Sequence, residues 1–141
     1  MSEFQKNAEP ENAAEQYYLG ARYEYGYGVE QSYEKATYWF TKAAEQGNAD
    51  AQFFLGMRYA IGRGVEQSYE KAAYWLTKAA EQGDASAQYS LGLCYEDGNG
   101  VGQSYPIAMY WYQQAMRQDH EEAEKNYIHL YQKGYRASKN P

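Results

Sequence analysis

Few residues in this chain could carry covalent or metal chemistry. There is one cysteine, Cys94, and there are two histidines, His120 and His129, among scattered carboxylates. A Cys-His pair becomes a nucleophile only if a base lies beside the thiol and a third group orients that base. The chain supplies neither an orienting carboxylate in an identifiable loop nor an oxyanion loop. His120 and His129 stand half a turn out of phase on one helix, and no CxxC, HxxxH or ExxH spacing occurs. No metal, cofactor or catalytic residue is therefore expected, and a small hydrolase remains only as the contrasting class. Three Gly-x-Gly strings, Gly26-Tyr27-Gly28, Gly62-Arg63-Gly64 and Gly98-Asn99-Gly100, invite comparison with a phosphate loop. Such a loop needs a preceding strand and either a third glycine or a Lys-Ser/Thr ending. These strings lack both and recur as turns.

Composition narrows the partners. The formal net charge is -6, from 13 basic and 19 acidic residues, with no basic stripe. Bringing such a surface to a phosphate backbone or an anionic membrane costs free energy, so neither is an expected partner. A lone cysteine precludes an internal disulfide and points to a reducing, cytoplasmic setting. No segment reaches the run of roughly 18 apolar residues that a membrane helix needs. The opening residues show no apolar run of a signal peptide; a periplasmic setting would need a leader already removed.

The elements that position these residues repeat. Residues 12–47 align with 48–83 at 26 of 36 positions without a gap, and 84–119 continue the frame. Gly20, Gly56 and Gly92 mark it, as do Trp39, Trp75 and Trp111. A partial fourth copy spans 120–134. Each copy reads as two helices. In the second, Asn48 caps a helix whose Ala51, Leu55 and Tyr59 share one face. Gly62 ends that helix, Ser68 caps the next, and Ala72, Trp75, Leu76 and Ala79 form its buried stripe. First helices are expected near 12–25, 48–61, 84–97 and 120–133, second helices near 32–46, 68–82 and 104–118. A hairpin cannot bury both its faces alone, so the copies must stack into an all-α solenoid of seven helices. Trp75 is expected to be among the most buried residues. Residues 1–11 are expected to be disordered, 120–134 to cap the array, and 135–141 to form a tail.

The strings LGARYEYGYGVEQSYEKATYWFTKAAEQG (19–47) and LGMRYAIGRGVEQSYEKAAYWLTKAAEQG (55–83) resemble the Sel-one-like repeat (SLR) family, relatives of tetratricopeptide repeats. The third copy, 91–119, is looser, with Met116 and Asp119 where the others have alanine and glycine. The resemblance covers about residues 12–134. It implies a right-handed superhelix that serves as an adaptor for other proteins, with no catalytic residue and no fixed ligand.

Within this frame the copies act as internal controls. Twelve of the 18 tyrosines fall in register and are expected to pack unit on unit; for Tyr38, Tyr74 and Tyr110 packing and exposure both stay open. One stripe of the first helix changes chemistry from copy to copy. It reads Ala14, Tyr18, Arg22, Tyr25, then Asp50, Phe54, Arg58, Ile61, then Ser86, Ser90, Cys94, Asp97. An array that fixes everything else but varies one stripe invites the reading of a recognition surface on its concave face. On that reading Tyr18, Arg22, Tyr25, Asp50, Phe54, Arg58, Ile61, Ser90 and Asp97 contact a partner protein or peptide, with aromatics and arginine as anchors. Drift on a solvated face is the competing account. The function expected is a protein-binding scaffold, or an immunity-type inhibitor of a secreted toxin. The state expected is a monomer or a weak end-to-end dimer.

Overall fold

Seven capping residues start the seven helices of the described residues. The side chains of Asn12, Ser32, Asn48, Ser68, Asp84, Ser104 and His120 each accept a hydrogen bond from a first-turn amide. This satisfies backbone donors that the helix itself leaves free. The computed structural model describes residues 10–141. The helices are α1 (Ala13–Tyr25), α2 (Tyr33–Glu45), α3 (Ala49–Ile61), α4 (Tyr69–Glu81), α5 (Ala85–Asp97), α6 (Tyr105–Met116) and α7 (Glu121–Gln132). There is no strand among the described residues. First helices exit through a left-handed glycine; Gly62, at φ 73°, returns its amide to the Arg58 carbonyl at 2.7 Å. Asp119 takes the left-handed place held elsewhere by Gly47 and Gly83, at φ 64°.

Each helix packs against its neighbours in the chain, first within its hairpin and then against the next unit. The result is an α-solenoid of three hairpins closed by α7. The core is a line of small residues (Ala36, Ala43, Ala72, Ala79, Ala108 and Ala115) into which Phe40, Leu55, Leu76, Leu91 and Tyr112 insert. Gly56 admits that insertion: a Cβ there would stand 2.8 Å from Leu76 Cγ. Gly20 and Gly92 face Phe40 and Tyr112 in the same way.

Trp75 does not lead the core. It and Trp39 are half-buried, and only Trp111 is nearly enclosed. The residue after each tryptophan, Phe40, Leu76 or Tyr112, fills the gap beneath the glycine. The indoles lie instead edge-on to the preceding tyrosine, Tyr38, Tyr74 or Tyr110, at ring distances of 5.0 Å. Tyr38 and Tyr74 are exposed and face outward, with Lys42 and Lys78 over their rings, while Tyr110 is half-buried and packs on the core.

A glutamine clasp holds the pitch. Gln82 Nε2 donates to Gln52 Oε1 and to the Gly47 carbonyl, both at 2.8 Å. Gln118 repeats this on Gln88 and Gly83, and Gln46 on Gln16 and Glu11. Gln52 and Gln88 in turn donate to the Ala44 and Ala80 carbonyls. The expected disorder of residues 1–11 lies outside the described residues for 1–9. Pro10 and Glu11 depart from it, since their carbonyls accept from Gln16 and Gln46.

Candidate functional site

The variable stripe is two things at once. Its lower half lies in the joints between hairpins. Phe54 stacks on Phe40 at 5.7 Å and 16°, and lies 6.0 Å from Tyr17. Arg58 is only 4% exposed. It pairs with Glu24 of the preceding hairpin, and its guanidinium covers Phe40 at 5.1 Å. Arg58 is thus held within the first joint, its charge neutralised there by Glu24, where an unpaired cation would be costly. Phe54 is half-buried in the same joint, stacked on Phe40.

The same register is filled differently at each joint. Positions 40, 54 and 58 hold Phe, Phe and Arg; 76, 90 and 94 hold Leu, Ser and Cys; 112, 126 and 130 hold Tyr, Asn and Leu. In the second joint Cys94 packs against the buried cluster that includes Leu76 and Leu91. In the third, Tyr112 donates to Glu96 at 2.8 Å, and Asn126 reaches the Tyr112 hydroxyl at 3.4 Å. Variation here reflects three ways to fill one kind of space. That is a signal the sequence carried but which reads, without pairing information, as a changing surface.

The upper half of the stripe does reach solvent. Tyr18, Arg22, Tyr25, Asp50, Ile61 and Asp97 are exposed, and Ser90 is half-buried. Tyr25 stacks on Tyr27 at 5.5 Å. Between α1 and α3 runs a groove of about 260 Å³, lined by Phe53, Phe54, Met57 and Ile61, with Glu24, Arg58 and Arg63 at one side. Ile61 stands 60% exposed at its edge. The structure thus brings Phe54 and Ile61 to one groove and places Tyr18 and Arg22 on the end of the array. Asp50 and Asp97 do not line the groove.

The chemistry-bearing residues are otherwise engaged. Burial among apolar side chains, then the nearby Asp97 carboxylate, pushes the Cys94 thiol up to about 11. A thiol so held carries little thiolate near neutrality. His120 Nδ1 accepts from the Ala123 amide at 3.1 Å, and the ring stacks on Tyr89 at 4.7 Å. Among the described residues no group of three His, Cys, Asp or Glu could hold a metal ion. Among the same residues no helix is long and apolar enough to cross a membrane.

Repeated hairpins, a joint-by-joint core and an exposed aromatic groove define a helical-repeat protein. The chain belongs to the Sel1 repeat family, whose model matches residues 16–48, 49–84 and 85–120. Among solved structures it is similar to a Sel1 repeat protein from Oxalobacter formigenes, with 37% identity and a TM-score of 0.86 over 93% of this chain and 54% of that one. It is also similar to a protective antigen of uropathogenic Escherichia coli with an SLR fold, at 36% identity and a TM-score of 0.89, over 95% of this chain and 29% of that one. A third is Helicobacter pylori cysteine rich protein B, at 28% and 0.66, covering 79% of this chain and 90% of that one. The chain thus spans about half, or less, of the first two. No curated protein matches it. Proteins built of these repeats generally act as protein-interaction scaffolds.

Proposed function

We propose that this chain is a protein-binding scaffold that holds its partner along the first helices, over the groove between α1 and α3. The observation that carries this reading is the groove itself: an apolar floor of Phe53, Phe54 and Met57 with an exposed Ile61 at its lip. Large apolar and aromatic groups left in solvent together are what a partner surface buries. Arg63, exposed at the rim 3.8 Å from Glu24, supplies a polar edge.

A photo-crosslinking residue at position 61 tests this, with the same residue in place of the outward-facing Tyr74 as the reference. Adducts with one discrete protein from position 61 and none from 74 support the reading. Adducts from 74 alone would move recognition to the second helices. Ile61→Asp should weaken the captured complex by at least about 2 kcal/mol, roughly thirtyfold.

The net charge of -6 favours a basic partner. It therefore supports an immunity-type inhibitor of a basic toxin as a second reading beside an assembly adaptor. Co-expression separates the two: an inhibitor restores growth to cells making the toxin, and Ile61→Asp removes that protection.

A further inference from the structure

The first hairpin presents to solvent the face by which the other hairpins are held. On α3, Phe54, Leu55 and Arg58 dock on the preceding hairpin: Leu55 is fully buried, Phe54 stacks on Phe40, and Arg58 pairs with Glu24. The residues in the same register on α1 are Tyr18, Leu19 and Arg22. Here Tyr18 is 65% exposed, Leu19 is half-buried and Arg22 is exposed. The turn glycines say the same. A Cβ on Gly64 would stand 2.5 Å from the Tyr33 carbonyl oxygen, and one on Gly100 would meet the Tyr69 carbonyl, whereas one on Gly28 would meet nothing within 4 Å.

The opposite end is closed. Ile128 occupies the register of Gly20, Gly56 and Gly92, where each earlier hairpin needs a missing side chain to seat its second helix. At that position α7 cannot accept such a helix without a clash. The tail folds back instead: Tyr135 packs on Tyr105 at 4.4 Å, and the Ser138 amide donates to the Pro106 carbonyl at 2.9 Å. The complementary faces within the chain, Ala36, Ala43 and Ala44 or Ala72, Ala79 and Ala80, are all buried. Among its described residues a second copy therefore offers no free surface of the kind the α1 face fits.

We infer that the exposed α1 face, Tyr18, Leu19 and Arg22, docks a helical hairpin of another protein. Its second helix would present small residues around one bulky apolar side chain, in the pattern Ala-x-x-x-Phe/Leu-x-x-Ala-Ala. A carboxylate on its first helix would meet Arg22. The pattern is that of α2 and α4, which occupy the matching faces of α3 and α5, and the carboxylate is that of Glu24 against Arg58. The geometry of the first joint is in this way a template for the partner. The inference rests on the reading of the chain as a protein-binding scaffold but places a second contact outside the groove.

The probe is a labelled synthetic peptide of residues 12–47, the chain's own first hairpin, shown to be helical by circular dichroism before it is titrated onto the full chain by fluorescence anisotropy. Saturable binding is expected. Arg22→Glu or Tyr18→Ser in the full chain should weaken it at least tenfold, with helix content unchanged by circular dichroism. A peptide carrying Glu24→Arg should recover binding to the Arg22→Glu chain. Absence of saturable binding overturns the inference. So does binding indifferent to Arg22→Glu, which would mean that the peptide displaces the resident first hairpin from α3. Sedimentation of the full chain alone as a dimer that Arg22→Glu dissolves would assign the face to a second copy, and overturns it too. Crosslinking at position 61 is independent of each result, so the scaffold reading can stand when this one falls.

Discussion

Arg22 and Arg58 share a register and a chemistry and differ in what surrounds them. Arg58 is enclosed by Glu24, Phe40 and Tyr33, while Arg22 faces solvent. Arg58→Ala leaves Glu24 half of a broken pair in a largely buried place and should destabilise the fold by about 3 kcal/mol. Arg22→Ala should change stability by less than about 0.5 kcal/mol. Urea unfolding of the two variants measures the contrast, and equal losses would refute the assignment of Arg58 to the joint. Cys94 gives a second residue-scale test. With its thiol at about 11 rather than the ordinary 9.0, the thiolate fraction at pH 8 falls about a hundredfold. Alkylation by iodoacetamide should be at least about tenfold slower than that of the urea-unfolded chain, since the fewer thiolates are each more nucleophilic; equal rates would show an accessible, activated thiol. Sequence alone could not separate the two arginines, because both read as cations on one variable stripe. Burial of a charge depends on a partner 34 residues away, and single-residue patterns do not report pairing.

At the scale of the helix the sequence is far more legible. The caps at Asn48, Ser68 and Asp84, the glycine exits and the 36-residue frame stand in the chain as local chemistry, and helices form within a residue or two of where that chemistry puts them. What escapes it is which aromatic goes inside. Trp75 has the size to fill a core, but the glycine gap lies over the next residue, Leu76. The glutamine clasp was also hidden, although Gln16, Gln52 and Gln88 are invariant across the copies, because polar residues on a buried phase read as exceptions rather than as partners for one another. Two substitutions probe this level. Gly56→Ala gains helix propensity of about 1 kcal/mol but drives a methyl into Leu76. It should lower stability by about 1–2 kcal/mol, against a gain if the gap were empty. Asp119→Gly removes a side chain from a left-handed backbone and should raise stability by up to about 1 kcal/mol, read from the same unfolding curves.

For the whole molecule, stability is a sum over hairpins and the joints between them. Removing residues 135–141 uncovers Tyr105 and the Pro106 carbonyl at one end only. Amide exchange should then quicken in α6 and α7 and remain unchanged in α1 and α2; uniform acceleration would mean that the array opens as one unit. The three differently filled joints bear on how such a chain can change its length. Phe40 with Phe54 and Arg58, Leu76 with Ser90 and Cys94, and Tyr112 with Asn126 and Leu130 are each a keyed pair. Copying the second hairpin in tandem would set a Phe54 ring and an Arg58 cation against Leu76, with alanine at the place of Glu24. The new seam would hold a charge with no counterpart. Gene duplication can therefore supply another hairpin readily, but it joins the array only after its key is recut, and the order of the units is fixed by their seams even where their outer surfaces are nearly the same.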